Sequence, residues 1–534
     1  MKKVFLSIIV AASVLTGCAD AYEAEQPTYR TDENVVFANA SEIARGVFGL
    51  YSNFNIESEI NFVSYFTDEC GVGVTNAGQG VNDGSYTFQL TPATSFATSH
   101  WGTNMNLVNR ANRMLARIVT LTSEINSSTT LTASQKAEQL ASLDGSKANL
   151  LAFRAYAHYR MFAYYTPNYT NGSGPSIIKF DFLQTDDYNR TEARSTVNEI
   201  VAFIEKDIAE ARSLGISNSA DNTEITESFL DAILVKLYSM TENYSGLQAA
   251  FDRLNAKHSI GSGLDYLTTF ADDAAAKASN PDIILRLERK INQGGGVAGA
   301  WYSNRVGINS SMIYMEMGRS LYNELDKLDP TYTGTAEIES RSDVRYLVNV
   351  LSGSKIATNY KTLTQDVYKT NDVLLIGKYP GRTAALLQND VYAFRFTDML
   401  LALAEKHAAE GKFTGDHTIG NFDSVESIIF NIRAARNIAG ANEPVAMPTN
   451  FSSRQQAYAR ILEERRIEFA FEGTRYLDMR RLGVKAGSPG YVRDAMDCAS
   501  TNACHLETSS YKMVLPIPST EMISNNKMTQ NPGY

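Results

Sequence analysis

Apolar residues recur every three to four positions along eight stretches of the chain, a spacing typical of helices with one buried face. The first stretch, residues 43–54, places Ile43, Val47 and Leu50 on one face and follows Ser41, a residue type that often caps a helix. The other stretches cover residues 101–118, 148–162, 197–211, 229–240, 394–409, 425–438 and 458–471. We therefore predict eight helices, of which 101–118 and 148–162 are expected to pair as an antiparallel hairpin.

Loop-rich regions separate these helices, chiefly at residues 60–99, 255–320 and 329–392. Residues 71–84 are rich in Gly, Asn, Asp and Gln, which indicates a surface loop with many turns, whereas residues 282–288 have the apolar run of a strand. Small residues at the expected helix crossings allow the close packing of tetratricopeptide repeats, although no strict period is visible. The predicted fold is mostly α: a tetratricopeptide-like helical-repeat scaffold with a loop-rich second half.

The N-terminus has the pattern of a secretory signal, with Lys2 and Lys3 before an apolar run over residues 4–15. This run is too short to span a membrane, which takes roughly 20 apolar residues. Residues 15–18, Leu-Thr-Gly-Cys, look like a lipobox, in which the thiol of Cys18 receives diacylglycerol after cleavage. We predict a signal peptide over residues 1–17 and a lipid-anchored tether over residues 18–40.

No linker rich in proline or serine divides the rest of the chain, so residues 41–534 are expected to form a single body. Its helical scaffold is predicted from residues 41–59, 100–255 and 393–481, its loop-rich part from 60–99 and 256–392, and a C-terminal segment from 482–534. With 49 basic and 59 acidic residues, the formal charge of −10 argues against a nucleic-acid partner, which would require clustered Lys and Arg.

Lipidation of Cys18 would leave Cys70, Cys498 and Cys504, and three cysteines cannot all pair. Cys498 and Cys504 would close a short loop in an oxidising exterior, while Cys70 with either of them is equally compatible with the sequence. Their spacing lacks the second pair of ligands that a zinc site needs. We expect structural thiols or one disulfide, and no metal.

The densest charged segment, residues 463–481, contains Glu464, Arg465, Glu468 and Glu472 at helical spacing. Two such carboxylates could serve acid–base catalysis. At this spacing, however, carboxylate and guanidinium groups on one helix pair with one another. We therefore predict a structural ion network.

Further motifs accompany this segment over nearly the whole chain. They lie at residues 101–112, 148–159, 343–345, 395–405, 431–433, 515–518 and 530–534. In this order they resemble the SusD/RagB-like nutrient-binding lipoproteins of the Bacteroidetes outer membrane. The resemblance implies four tetratricopeptide-like helix pairs, a loop-rich half bearing the ligand site, and a SusC-like TonB-dependent barrel transporter as partner. The acidic residues after Cys18 are also similar to the signal that sends such lipoproteins to the cell surface.

Enzyme signatures are weak. Gly294, Gly296 and Gly299 match the GxGxxG pattern of nucleotide-binding loops, but residues 300–304 are not expected to open a long helix after them. The six histidines are scattered, and no nucleophile lies near a base in sequence. We predict neither an enzyme nor a cofactor.

A binding surface is better supported, because sugar rings stack on aromatic side chains while their hydroxyls need polar partners. Aromatic and polar residues interleave in two loops, residues 62–86 and 292–314. The predicted ligand-binding residues are Tyr65, Asp68 and Asn76 in the first loop and Trp301, Tyr302, Asn304 and Arg305 in the second. Trp301 is the strongest candidate of the seven. No ligand residue carries over from the family, whose binding loops vary.

The predicted function is capture of a glycan or free sugar on the outer face of the outer membrane and its delivery to the transporter. Arg305, Arg341 and Arg382 in the irregular half suggest an acidic sugar such as a sialic acid, since guanidinium binds carboxylate in a bidentate way. A RagB-like peptide binder is the alternative. A surface glycosidase is a third hypothesis, which requires two carboxylates in one cleft.

Overall fold

The computed structural model describes residues 33–51, 54, 56–183, 191–289, 296–310, 312–329, 341–440 and 443–534, and of residues 33, 34 and 307–310 only the backbone. The predicted signal peptide, Cys18 and most of the predicted tether lie outside these residues. The helices of the first half are α1 (Glu33–Val36), α2 (Ala40–Tyr51), α3 (Glu57–Phe66), α4 (Ser95–Ser127), α5 (Ala133–Tyr165), α6 (Val197–Ser213), α7 (Glu227–Thr241) and α8 (Tyr244–Asn255).

The second half contains shorter helices among more loops. They are α9 (Gly263–Phe270), α10 (Ala274–Ala278), α11 (Val297–Ser310), α12 (Arg319–Asp326), α13 (Val344–Asn349), α14 (Gln365–Asn371), α15 (Phe396–Glu410), α16 (Val425–Arg436), α17 (Arg454–Glu468), α18 (Arg475–Leu482), α19 (Ala495–Cys498) and α20 (Ser519–Ser524). The fold is therefore mostly α, as predicted.

The strands form three short antiparallel pairs among the described residues. They are β1 (Cys70–Val72) with β3 (Met315–Met317), β2 (Ile283–Leu287) with β4 (Val391–Arg395), and β5 (Gly490–Val492) with β6 (His505–Glu507). The strand predicted at residues 282–288 is confirmed as β2.

All eight predicted helices are present, as α2, α4, α5, α6, α7, α15, α16 and α17. Helix α5 begins where Thr132 and Gln135 form a capping box, in which each side chain accepts from the other residue's backbone N–H. The predicted hairpin of α4 and α5 is confirmed, since Lys136 donates to the Asn126 carbonyl at one end and Tyr165 donates to the Ala97 carbonyl at the other. Their apolar faces join one continuous core.

Other helices fall where the sequence predicted loops. Helices α3 and α9 to α14 lie within or at the edge of the predicted loop-rich regions. The expectation that no long helix follows Gly299 is wrong, because α11 begins at Val297 and contains Gly299 itself. The strand before it, β2, pairs antiparallel with β4 rather than forming the parallel unit that a nucleotide-binding loop requires.

The predicted ion network is present, but its partners differ from those expected. Helix α17 ends at Glu468, so Glu472 lies beyond it. The three carboxylates pair with cations of other elements rather than with guanidinium groups of their own helix. The pairs are Glu464 with Arg345 and Arg433, Glu468 with Arg395 and Arg436, and Glu472 with Lys378 and Arg395. These buried ion pairs connect α13, α16 and β4 to α17 and therefore hold the loop-rich part against the scaffold.

Of the disulfide pairings that the sequence left open, the structure has one. Cys498 and Cys504 form a disulfide at the end of α19, and Cys70 is a buried free thiol in β1. Among the described residues, no helix is long and apolar enough to cross a membrane.

Candidate ligand-binding surface

The two loops that the sequence singled out lie side by side, although more than two hundred residues separate them in the chain. Strands β1 and β3 pair antiparallel, and the ladder continues where Gly73 N donates to the Tyr314 carbonyl and Thr75 N to the Ile313 carbonyl, both at 3.0 Å. A Cβ atom on Gly73 would lie 2.2 Å from the Ile313 carbonyl oxygen, so the close approach requires glycine. Backbone pairing therefore brings the two candidate loops together.

Trp301, the strongest sequence candidate, is fully buried at 0% exposure. Its ring packs edge-on against Tyr65 and Phe471, with centroids 6.0 and 5.5 Å away. A sugar could not stack on a ring whose faces are covered by protein. The structure therefore does not place Trp301 at a ligand, and its ring instead packs against Tyr65.

Two further candidates have their polar groups engaged within the protein. Asn304 donates to the Met315 carbonyl at 2.8 Å and accepts from Ile376 N at 3.0 Å. Asp68 is buried and accepts two hydrogen bonds of 2.9 Å from Arg475. These contacts hold the loops in place and leave neither side chain available to a ligand.

The side-chain amide of half-buried Asn76 also joins the two loops, since its Nδ2 donates to the Tyr314 carbonyl at 2.7 Å and to the Gln79 carbonyl at 2.8 Å. Tyr65 is half-buried, and burial raises the pKa of its phenol, which therefore stays protonated as a hydrogen-bond donor. Tyr302 is half-buried and Arg305 is exposed on α11. These four candidates retain solvent access.

The guanidinium groups expected to bind an acidic sugar do not gather. Buried Arg341 pairs with Asp326 at 2.6 Å, and Arg382 pairs with Asp390 at 2.5 Å. Only Arg305 of the three is exposed. The structure therefore does not support an acidic-sugar site built from all three.

Exposed apolar residues on the same loops were missed from the sequence. Val74 follows β1, Val306 lies on α11, and Met312 precedes β3, each roughly two-fifths exposed. Nothing in the local pattern marks them, because exposure of a single apolar residue depends on contacts distant in sequence. We call the outward-facing set the loop surface, comprising Tyr65, Val74, Asn76, Tyr302, Arg305, Val306 and Met312.

Two adjacent carboxyl groups beneath the loop surface differ in charge. Although burial alone would raise the pKa of Asp68, Arg466 and Arg475 outweigh it and lower that pKa to about 2. Burial raises the pKa of Glu69 to about 7, against a hydrogen bond donated by Phe471 N. Asp68 is therefore a fixed anion under the loop surface, and Glu69 titrates near neutral pH.

A small cavity of about 80 Å³ lies farther inside, between α3, α5, α7 and β4. Its charged lining is paired, with Arg160 on Glu59 at 2.6 Å and Lys236 on Asp398 at 2.9 Å. Because these charged groups are paired with one another, neither pair is left to hold a ligand. Within the ranges that the structure describes, no cluster of three or more His, Cys, Asp or Glu is arranged to hold a metal.

Two family models match the chain. One, described as "SusD family", matches residues 312–534, and the other, described as "Starch-binding associating with outer membrane", matches residues 34–247. The chain belongs to the SusD/RagB-like family. No curated protein sequence matches it.

Solved structures show the same SusD-like fold. A SusD superfamily protein from Bacteroides thetaiotaomicron VPI-5482 is 18% identical, with a TM-score of 0.65 over 92% of this chain and 100% of that one. A SusD superfamily protein from Bacteroides vulgatus ATCC 8482 is also 18% identical, with a TM-score of 0.63 over 93% and 99%. A "Laminarin binding SusD-like protein" is 17% identical, with a TM-score of 0.59 over 93% and 100%.

The family models leave residues 248–311 unmatched, between the end of one range and the start of the other. That interval contains α11 with Tyr302 and Arg305. In this SusD/RagB-like protein, Tyr65, Val74, Asn76 and Met312 of the loop surface lie within the matched ranges, while Tyr302, Arg305 and Val306 lie between them.

Proposed function

We propose that this SusD/RagB-like protein is a surface lipoprotein that captures a glycan or free sugar on the loop surface without changing it chemically. The observation that carries the proposal is the pairing of the two candidate loops through β1 and β3. The pairing gathers a phenol, an amide, a guanidinium and apolar side chains in one region, and sugars need both apolar contact and hydrogen bonds.

The relatives favour a saccharide over other nutrients. One matched family model is described as starch-binding and outer-membrane-associated, and one structural neighbour is described as laminarin-binding. We extend this to outer-membrane association through Cys18, an outward-facing body, and delivery of the sugar to a SusC-like TonB-dependent transporter. Because Arg305 is the only exposed one of the three arginines predicted to bind an acidic sugar, binding of such a sugar would depend on Arg305 alone.

A glycan array followed by calorimetry on the mature protein, starting after Cys18, tests this proposal. We expect Tyr302→Ala to weaken saccharide binding about tenfold, because loss of aromatic contact is worth about 0.5–1.5 kcal/mol beyond buried area. Phe48→Ala is the control, since Phe48 is an exposed ring on α2, outside both loops.

Arg305→Gln separates the sugar classes. A neutral glycan should bind this variant within about threefold of wild type, whereas a carboxylated sugar should lose about tenfold or more with its charged partner. Binding of peptides with no saccharide response would contradict the proposal and favour the RagB-like alternative. Hydrolysis of a bound glycan would favour the glycosidase.

A further inference from the structure

A second opening lies in the helical scaffold and shares no residue with the loop surface. It is a groove of about 510 Å³ between the segment linking α6 to α7, the end of α8, and the segment leading into β2. We call it the scaffold groove. Its lining is rich in hydroxyl and amide groups and comprises residues 218–222, Thr226, Ser228, Lys257, His258, residues 278–281, Ile283 and Ile284.

Two nearly buried hydroxyl groups in this groove have no protein partner. Thr226 and Ser228 are 5% and 7% exposed, and neither side chain forms a hydrogen bond within the described residues. Neither hydroxyl oxygen is itself sealed from solvent, so each can bond to water or to a ligand in the groove. Both line the scaffold groove, which supplies the space for that partner.

His258 adds an acceptor to the lining of the groove. Its Nδ1 lies 3.2 Å from the Pro281 carbonyl oxygen, which can only accept, so we assign the ring proton to Nδ1. Burial lowers the pKa of His258, which keeps the ring neutral and leaves Nε2 as an acceptor. No described residue donates to Nε2. The groove therefore offers two hydroxyls and one neutral acceptor to an occupant.

Charge in the groove is balanced locally. Lys257 donates to Asn218 at 2.5 Å, and Asp221 accepts from the backbone and hydroxyl of Thr223 at 2.8 and 2.7 Å. One cation and one anion on the rim give no excess charge to attract an ion. This balance favours a neutral ligand that both donates and accepts hydrogen bonds.

We propose that the scaffold groove is a second saccharide site, which binds a neutral sugar unit through Thr226, Ser228 and His258. The proposal rests on the proposed function, that the protein captures glycans, and adds a site that the loops do not form. The groove volume falls within the usual range of ligand pockets, about 300–1,000 Å³, and accommodates a mono- or disaccharide. Because no Phe, Tyr or Trp lines it, binding there depends on hydrogen bonds and is weaker than stacking-assisted binding.

Methyl NMR on the mature protein tests this site directly, with maltose, cellobiose, laminaribiose and xylobiose as probes. The methyl groups of Ile283 and Ile284 report from the groove wall. We expect at least one disaccharide to shift them saturably. Thr226→Val and Ser228→Ala should each weaken that response about three- to tenfold, because each removes one hydrogen bond.

Thr120→Val is the matched control, since it removes an exposed hydroxyl on α4 and should leave the response unchanged. Thermal unfolding of each variant checks that it is folded. If Thr226→Val does not fold, Ser228→Ala still provides the test. No saturable shift of Ile283 or Ile284 with any probe would overturn the proposal, as would equal responses from Thr120→Val and both groove variants.

The Tyr302→Ala variant separates this proposal from the proposed function. Persistence of the Ile283 and Ile284 shifts in that variant would support an independent groove site. If wild type binds a glycan and Tyr302→Ala abolishes all binding without any shift at these isoleucines, the groove proposal fails and the loop surface stands. If no saccharide binds wild type anywhere, the proposed function itself fails.

Discussion

Glu464 on α17 lies fully buried between two guanidinium groups, 2.5 Å from Arg345 and 2.7 Å from Arg433. Although burial would raise the pKa of Glu464, these arginines outweigh it and lower that pKa, so the carboxylate stays ionised. Glu464→Gln would leave two buried cations short of a counter-charge. We expect it to lower the free energy of unfolding by about 3 kcal/mol, measured by urea denaturation at neutral pH.

The neighbouring Glu463→Gln is a matched control on the same helix. Glu463 pairs with Arg460 at 2.6 Å, and both side chains are more than a quarter exposed. A partly exposed pair of this kind is worth about 1 kcal/mol or less, so this variant should lose far less stability than Glu464→Gln. Equal losses from the two substitutions would contradict the structural role assigned to the buried network.

For single residues, the sequence predicted the kind of interaction that a side chain forms, but not which partners it meets or whether it is exposed. The segment around Glu464 reads correctly as an ion network, because many opposite charges at short spacing must be paired if they are buried. The partners of Glu464 could not be predicted from local spacing, since Arg345 and Arg433 lie on α13 and α16. Trp301 shows the same limit, because Tyr65 and Phe471, which cover it, are more than 150 residues away.

Among the elements, the three-residue β1–β3 pair joins the two loops that form the loop surface. Gly73→Ala would place a Cβ atom 2.2 Å from the Ile313 carbonyl oxygen, a backbone atom that cannot move without separating the ladder. We expect a loss of about 1–3 kcal/mol in stability, as for overpacked sites, together with weaker saccharide binding at the loop surface. Thermal unfolding and calorimetry measure the two effects.

Gly102→Ala controls for the glycine substitution itself. Gly102 lies within α4, and nothing would come within 4 Å of an added Cβ. This variant should gain about 0.5–1 kcal/mol from reduced chain entropy and bind saccharide as wild type does. Normal saccharide binding by Gly73→Ala would show that the loop surface does not depend on the ladder.

The elements found from sequence are those with long apolar stripes, such as α4 and α5, where helical spacing repeats over many turns. Helix α11 was missed because glycines precede it and its apolar residues do not form one continuous stripe. Helix α3 was missed for another reason. It is buried on several sides, and its pattern therefore lacks the polar face that marks an amphipathic helix.

For the whole molecule, the motifs at both ends were sufficient to identify the fold, and the family matches over residues 34–247 and 312–534 cover those same ends. The candidate site could be predicted only as far as the two loops that form it. Which side chains face outward depends on how α11, β1 and β3 pack together, and no local spacing encodes that arrangement.

The proposed attachment to a membrane concerns the whole molecule and would depend on one thiol, that of Cys18. We expect tritiated palmitate fed to cells to label the wild-type protein and to be lost from Cys18→Ser, because acylation needs the thiol that the lipobox presents. The 14 residues between Cys18 and α1 could reach at most about 50 Å, which would allow the proposed anchor to hold the body beside the proposed transporter.

Cys70→Ala is the control for that experiment, since Cys70 is the other cysteine outside the disulfide. Its thiol is buried in β1, where an acyl donor cannot reach it, and burial raises its pKa well above the ordinary range, which further lowers its reactivity. Cys70→Ala should therefore keep the label and stay in the membrane fraction. Label retained by Cys18→Ser, or lost from Cys70→Ala, would place the anchor elsewhere and remove the basis for a tethered capture protein.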